Sequence, residues 1–383
     1  MLKSSFLHQI TTCVLLLMAA LPAAAEPPVT ASRPARSQVD HHPFAPGGRE
    51  KVYAEIVGES FKKRYTDHFV VLYDADEPVV KDFILRIERT YDSVQHFAEK
   101  MDIKIEFPKE KLPIIFCGSY ETFVEKFGKL YGGHSPPAEA AGLYLPDPVN
   151  VSIFFDMSQN KYMKEAAEKA RQAHEAVRNS SDANTKREKL REAQWYENSS
   201  LVYQQTYNRS VVQHEVTHQL LYNFVVHNRK SPWQNPQWLV EGLATIFEPP
   251  PGKDGAGFGV INQMRLGDIR EPMQKTTVEE LRAFIAKPSP NHQMLPREGY
   301  ARAWAISCFL VKRRAKQLPG YLQVIKKRTG PAEISPEAQL ADFEKAFGTV
   351  NDSFLKELKE FIEKLPFKPE HPTAAQTQRK AKR

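Results

Sequence analysis

The chain has 383 residues, is 41% hydrophobic and 26% charged, and contains 28 Pro, 18 Gly and 3 Cys. That composition excludes a collagen-like, disulfide-rich or wholly disordered protein, and the length suffices for a core that needs no metal or disulfide merely to hold it together. The formal charge of +7 permits weak attraction to acidic surfaces but does not describe a nucleic-acid groove, so no nucleic-acid partner is expected.

Met1 to Ala25 reads as a secretory signal peptide. Lys3 supplies the positive start, Val14 to Leu21 a short apolar run, and Ala23-Ala24-Ala25 a small-residue cleavage site. The apolar run is shorter than the ~20 residues of a membrane span, and no later stretch is long and apolar enough to span. The expectation is an exported protein, periplasmic or extracellular, with no integral span after removal of the signal. Export leaves Cys117 and Cys308. Both lie in apolar runs and read as buried small hydrophobes, with a disulfide as the alternative.

Residues 26–50 are Pro-rich and polar, which predicts a flexible lead-in, with the tandem His41-His42 solvated. Residues 51–158 alternate strand and helix signals, an α+β subdomain with a small mixed sheet. The strands are His68 to Tyr73, Leu112 to Cys117, and a hairpin of 141–145 and 150–155 around Pro146-Asp147-Pro148. Helices are predicted over 77–100, from apolar spacing, and from a Ser119 cap to about Leu130.

Residues 159–200 are dense in Lys, Glu, Arg, Ala and Gln, broken at Asn179-Ser180-Ser181-Asp182. They read as a charged helical hairpin, either a solvated face or a lid beside a cleft. Residues 201–365 read as helical throughout. Ser335-Pro336 opens one helix as cap and first residue, and Phe354 to Leu365 forms another. Residues 366–383 are basic and polar and predict a disordered tail.

Within this helical part lies His214-Glu215-Val216-Thr217-His218. Positions i and i+4 of a helix share a face, so two imidazoles can reach one metal, with a fourth coordination position open for water. Glu215 stands beside the first ligand, where it can take a proton from that water. Val211, Val212, Val216, Leu220, Leu221, Phe224 and Val225 make the helix apolar nearly all round, which predicts burial.

A second buried helix follows, over 235–247. Asn235 is its expected N-cap and Pro236 its first-turn residue. Glu241 is the only charge between Gln237 and Phe247. A lone buried carboxylate needs a partner or a metal, which makes Glu241 the natural third ligand. Gly242 is expected to let this helix approach the first one closely. Glu248 is the rival ligand, but it precedes Pro249-Pro250-Pro251 and reads as an exposed helix end.

His214-Glu215-Val216-Thr217-His218 followed by Trp238-Leu239-Val240-Glu241-Gly242-Leu243-Ala244 resembles the HExxH…WLxEGxA arrangement of gluzincin zinc metallopeptidases. The likeness is greatest to a secreted bacterial domain-of-unknown-function family with a peptidase-MA-like fold. It spans roughly 64–365, with a "TDHFVVLYD"-like strand at Thr66 to Asp74 and "YARAWA" at Tyr300 to Ala305. The resemblance implies a thermolysin-like fold and one Zn2+ per chain held by His214, His218 and Glu241, with Glu215 as base and then acid.

It also implies an oxyanion-stabilising Tyr or His. Tyr300 is the first candidate, and His292 and His227 the weaker ones. A sheet edge would align the substrate, and the 141–155 hairpin is the place to look. The expected activity is hydrolysis of a peptide or protein substrate. Two other readings stand beside it: an exported non-catalytic binding protein with a structural zinc site, and cell-envelope binding through the basic surface and tail.

Overall fold

The computed structural model describes residues 44–137, 140–159, 161–250, 257–287, 294–330 and 334–368. The segment read as a signal peptide, His41-His42, His292 and most of the basic tail lie outside them. The chain is mixed α+β and forms two compact units: Phe44–Met157 with Asn208–Phe367, and a second built on Ser158–Tyr207.

The first unit begins with α1 (Arg49–Val57) and β1 (Lys62–Tyr65), continues through β2 (Phe69–Tyr73), α2 (Glu77–Lys100), β3 (Leu112–Cys117) and α3 (Tyr120–Leu130), and reaches β4 (Gly142–Leu145) and β5 (Val151–Phe155). The five strands form one sheet in the order β1-β2-β3-β5-β4. β2, β3 and β5 are mutually parallel, and β1 and β4 add antiparallel edges. All residues of β2, β3 and β5 are buried, which explains their unbroken apolar runs. The Lys-Lys-Arg-Tyr run of β1 suits an exposed edge. Ser119 caps α3 by accepting from Thr122 N, and the 141–155 hairpin is present as β4 and β5.

The lead-in is shorter than its composition suggests. Phe44 is buried edge-on against His68 and Tyr91, and α1 begins at Arg49. One buried aromatic is enough to order a polar segment. The C-terminal boundary shifts in the same way, because Phe367 packs on the core beside Gly267 and under Arg270.

The Ser158–Tyr207 unit carries α4 (Lys161–Asn179) and the start of α5 (Ala183–Asn223), a helical hairpin with its break at 180–182. Ala170, Ala173 and Ala193 are buried, and His174 Nε2 meets Glu197 Oε1 at 2.8 Å. Exposed charge among the described residues of this unit includes the Arg171–Glu168 pair at 2.7 Å. Helix α5 is 41 residues long, so the residues around 200 are helical.

After α5 come α6 (Gln237–Ile246), α7 (Gln263–Lys275), α8 (Val278–Ala286), α9 (Arg297–Arg313), α10 (Leu318–Lys326), α11 (Pro336–Phe347) and α12 (Asp352–Lys364). Their apolar faces join those of the sheet and the end of α5 in one core. Ser335 caps α11 by accepting from Ala338 N. Cys117 and Cys308 are both buried and free. No helix among the described residues is long and apolar enough to cross a membrane.

Two details of α6 differ from expectation. Pro236 occupies the N-cap position and no side chain caps the helix. The Asn235 amide instead clamps the preceding loop, accepting from Asn228 N at 2.8 Å and donating to the carbonyls of Asn228 and Pro232 at 3.1 and 2.8 Å. Gly242 also does not face α5. A Cβ there would lie 2.5 Å from Ala303 O and collide with Ser307 Oγ, so the glycine brings α6 against α9.

Candidate metal centre

The second half of α5 carries two functional stripes. Glu215, Gln219 and Asn223, spaced at i, i+4 and i+8, face the β4–β5 hairpin and the sheet. Glu215 Oε2 accepts from Tyr144 N at 2.8 Å. Gln219 accepts from Ser152 Oγ at 3.1 Å and donates to Pro113 O at 2.9 Å. Asn223 and Asn150 exchange amide hydrogen bonds at 2.8 and 2.9 Å. These buried bonds fix the rotation of α5 about its axis, because buried amides left unpaired are costly. Gly142 lets β4 come this close: a Cβ there would strike the Phe154 ring and stand 3.1 Å from Val211 Cγ1.

With the helix so rotated, His214 and His218 project together, their rings 4.6 Å apart and nearly perpendicular. Glu241 of α6 meets both through one oxygen: His214 Nε2 lies 3.0 Å and His218 Nε2 3.5 Å from Glu241 Oε2. Donors of a tetrahedral zinc site at the usual bond lengths stand roughly 3.3 Å apart, and the separation of Glu241 Oε2 from each imidazole Nε2 is close to that. His214, Glu215 and His218 also offer ligand atoms that all lie within 4.8 Å of one another. Glu241 differs from Glu215 in that a single oxygen approaches both imidazoles, whereas Glu215 is held by the Tyr144 amide.

Burial would lower the pKa of His214, but the Glu241 and Glu248 carboxylates outweigh it and hold the pKa up at about 10. Burial opposes ionisation of Glu241, yet the imidazoles of His218 and His214 hold its pKa well below the usual range. Burial raises the pKa of Glu215, with the two imidazoles opposing. Buried carboxylates converging on two imidazoles call for positive charge, which a proton on His214 or a bound cation can supply.

Glu248 is not the exposed helix end that its neighbouring prolines suggest. It is 3% exposed and its Oε1 lies 3.0 Å from His214 Nδ1. Gln213 holds this segment inward, its amide donating to the carbonyls of Phe247 and Pro249. Glu248 therefore orients the first imidazole through its far nitrogen, the usual service of a carboxylate behind a metal-ligating histidine. Glu248 lies two residues past the end of α6, so these contacts rather than helical spacing from Glu241 set its position.

Tyr300, in the first turn of α9, lies with its ring 5.9 Å from that of His214. Burial, and then the Glu241 and Glu215 charges, push its pKa upward, so the phenol keeps its proton and can donate. His227 is placed differently. It is fully buried against Tyr222, and neither ring nitrogen has a hydrogen-bond partner among the described residues.

Burial, with repulsion from His218, holds the His227 pKa down at about 3. Between about pH 6.5 and that value the unfolded chain binds a proton that the folded chain refuses. Stability is therefore lost as pH falls through this window. Urea midpoints of the wild type should drop more between pH 7 and pH 5 than those of His227→Gln. Equal drops would remove His227 as the cause.

The fold and the site thus define an α+β protein with a helix-borne His-Glu-His cluster completed by a carboxylate from a following helix. Residues 208–332 match a family described as a protein of unknown function, DUF1570. The chain is similar to that family over a stretch that includes His214, Glu215, His218, Glu241, Glu248 and Tyr300 but not the sheet. No curated protein matches the chain.

Proposed function

We propose that this is an exported zinc-dependent peptidase of the gluzincin type, with His214, His218 and Glu241 as ligands. The observation that carries the proposal is the approach of both imidazole Nε2 atoms to Glu241 Oε2, at 3.0 and 3.5 Å, with Glu215 beside them. A zinc ion held there supplies a Lewis acid and makes water a nucleophile near neutral pH. Glu215 takes the proton of the attacking water and delivers it to the leaving amine. Its raised pKa favours that exchange, and the Tyr144 amide fixes which oxygen is free to act. Tyr300 donates its phenolic hydrogen to the developing oxyanion. The outer edge of β4, where the Tyr144 N–H points at Glu215 rather than into the ladder, is the place for an extended substrate backbone.

Metal content tests this reading. The purified wild type should carry about one zinc per chain, and His218→Ala and Glu241→Ala should lose it while staying folded. A folded wild type that takes up no zinc when supplied with it would end the reading. Full zinc in Glu241→Ala would assign the third position to Glu215.

A further inference from the structure

We propose that Arg265 is a positioning residue of the metal centre, acting on His214 through Glu248; the proposal rests on the zinc reading above. Arg265 lies in the first turn of α7, whose cap Asn262 accepts from Arg265 N at 3.1 Å. Its guanidinium grips Glu248 with both arms, Nε to Oε2 at 2.9 Å and Nη2 to Oε1 at 2.7 Å. Asn262 adds a third donor, Nδ2 to Glu248 Oε2 at 2.8 Å. The remaining partner of Glu248 is His214 Nδ1 at 3.0 Å. A carboxylate held at both oxygens in one plane cannot turn, so the direction of the imidazole, and with it the aim of Nε2, is set from α7.

The central carbon of the same guanidinium lies 5.2 Å from the centroid of the Tyr300 ring. One side chain thus contacts two arms of the site, its two nitrogens holding the carboxylate behind His214 and its cationic centre lying over Tyr300. Lysine cannot reproduce this, because an ammonium has neither the fork nor the plane. Fold stability alone is a poor reason for the arrangement. Side-chain exposures of 14% for Arg265 and 3% for Glu248 make this a buried pair, and such pairs are often no better for stability than apolar residues of the same volume. What they supply is orientation.

The experiment uses the full chain with zinc alone as the probe. Dissociation constants come from competition with a chelator, and thermal denaturation of the metal-free proteins is run in parallel. Arg265→Met should weaken zinc binding roughly 10- to 100-fold, the usual effect of losing such an outer partner. Glu248→Gln should do about the same. Because Arg265 acts through Glu248, the double variant should bind zinc about as weakly as either single variant rather than showing the product of the two losses. Arg265→Lys keeps the charge and most of the volume and should still lose about 5-fold or more; it decides the matter if the Met variant fails to fold.

Zinc affinity in folded Arg265→Met or Arg265→Lys within about two-fold of wild type would overturn the proposal, and so would losses that multiply. A wild type that binds no zinc overturns both this proposal and the reading beneath it.

Discussion

If the chain is the zinc peptidase proposed, replacing Glu215 by Gln should lower peptide hydrolysis by roughly 10^2- to 10^4-fold, the range associated with a general acid–base group, and should leave zinc content and thermal stability near wild type. Glutamine has the same shape, and its side-chain oxygen can still accept from Tyr144 N, now 2.8 Å from Glu215 Oε2. The change therefore preserves the β4–α5 contact and removes only the ability to take and return a proton. Neutralising a buried carboxylate whose pKa is already raised by burial carries no desolvation penalty of its own. The measurement is cleavage of a broad peptide mixture read by mass spectrometry of new termini, with metal analysis on the same samples. A Gln variant that cleaves as fast as wild type would remove Glu215 from the chemistry, while one that loses zinc as well would make it a ligand.

The parts of this site visible in the sequence are those encoded over short distances. His214 and His218 share a face because of helical spacing, and Glu241 stands out because it is the only charge in an apolar helix. The central strands announce themselves by continuous apolar runs. What was not visible depends on partners distant in sequence. Glu248 reads as a helix end from its three following prolines, yet Gln213, Asn262 and Arg265 draw it inside. Asn235 has the right chemistry for a cap, but the Asn228 loop competes for its amide and wins.

The stripe Glu215, Gln219, Asn223 was legible in principle as polar residues at i, i+4 and i+8 of an apolar helix. It was submerged in the count of apolar neighbours. Phe44 and α1 were hidden for a similar reason, since a Pro-rich polar composition outweighed one aromatic residue that finds a pocket beside His68 and Tyr91.

Gly242 makes the sharpest test of how the two halves of the site are spaced. At an open helical position Gly→Ala stabilises by about 1 kcal/mol, because alanine loses less backbone freedom. At Gly242 the sign should reverse. The new Cβ would lie 2.5 Å from Ala303 O and against Ser307 Oγ, so α6 and α9 must separate, and overpacking of this kind costs about 1–3 kcal/mol. The net expectation is a loss of about 1 kcal/mol, an overpacking cost of about 2 less the gain of about 1, seen as a lower urea midpoint at unchanged slope.

The two helices carry Glu241 and Tyr300, so zinc affinity and hydrolysis should fall with stability. Ser307→Ala in the same chain removes the side-chain clash but not the backbone one, and should recover only part of the loss. If Gly242→Ala proves as stable as wild type, the close approach of α6 to α9 does not set the distance between Glu241 and Tyr300. If Ser307→Ala restores everything, the hydroxyl rather than the Ala303 carbonyl is what limits that approach.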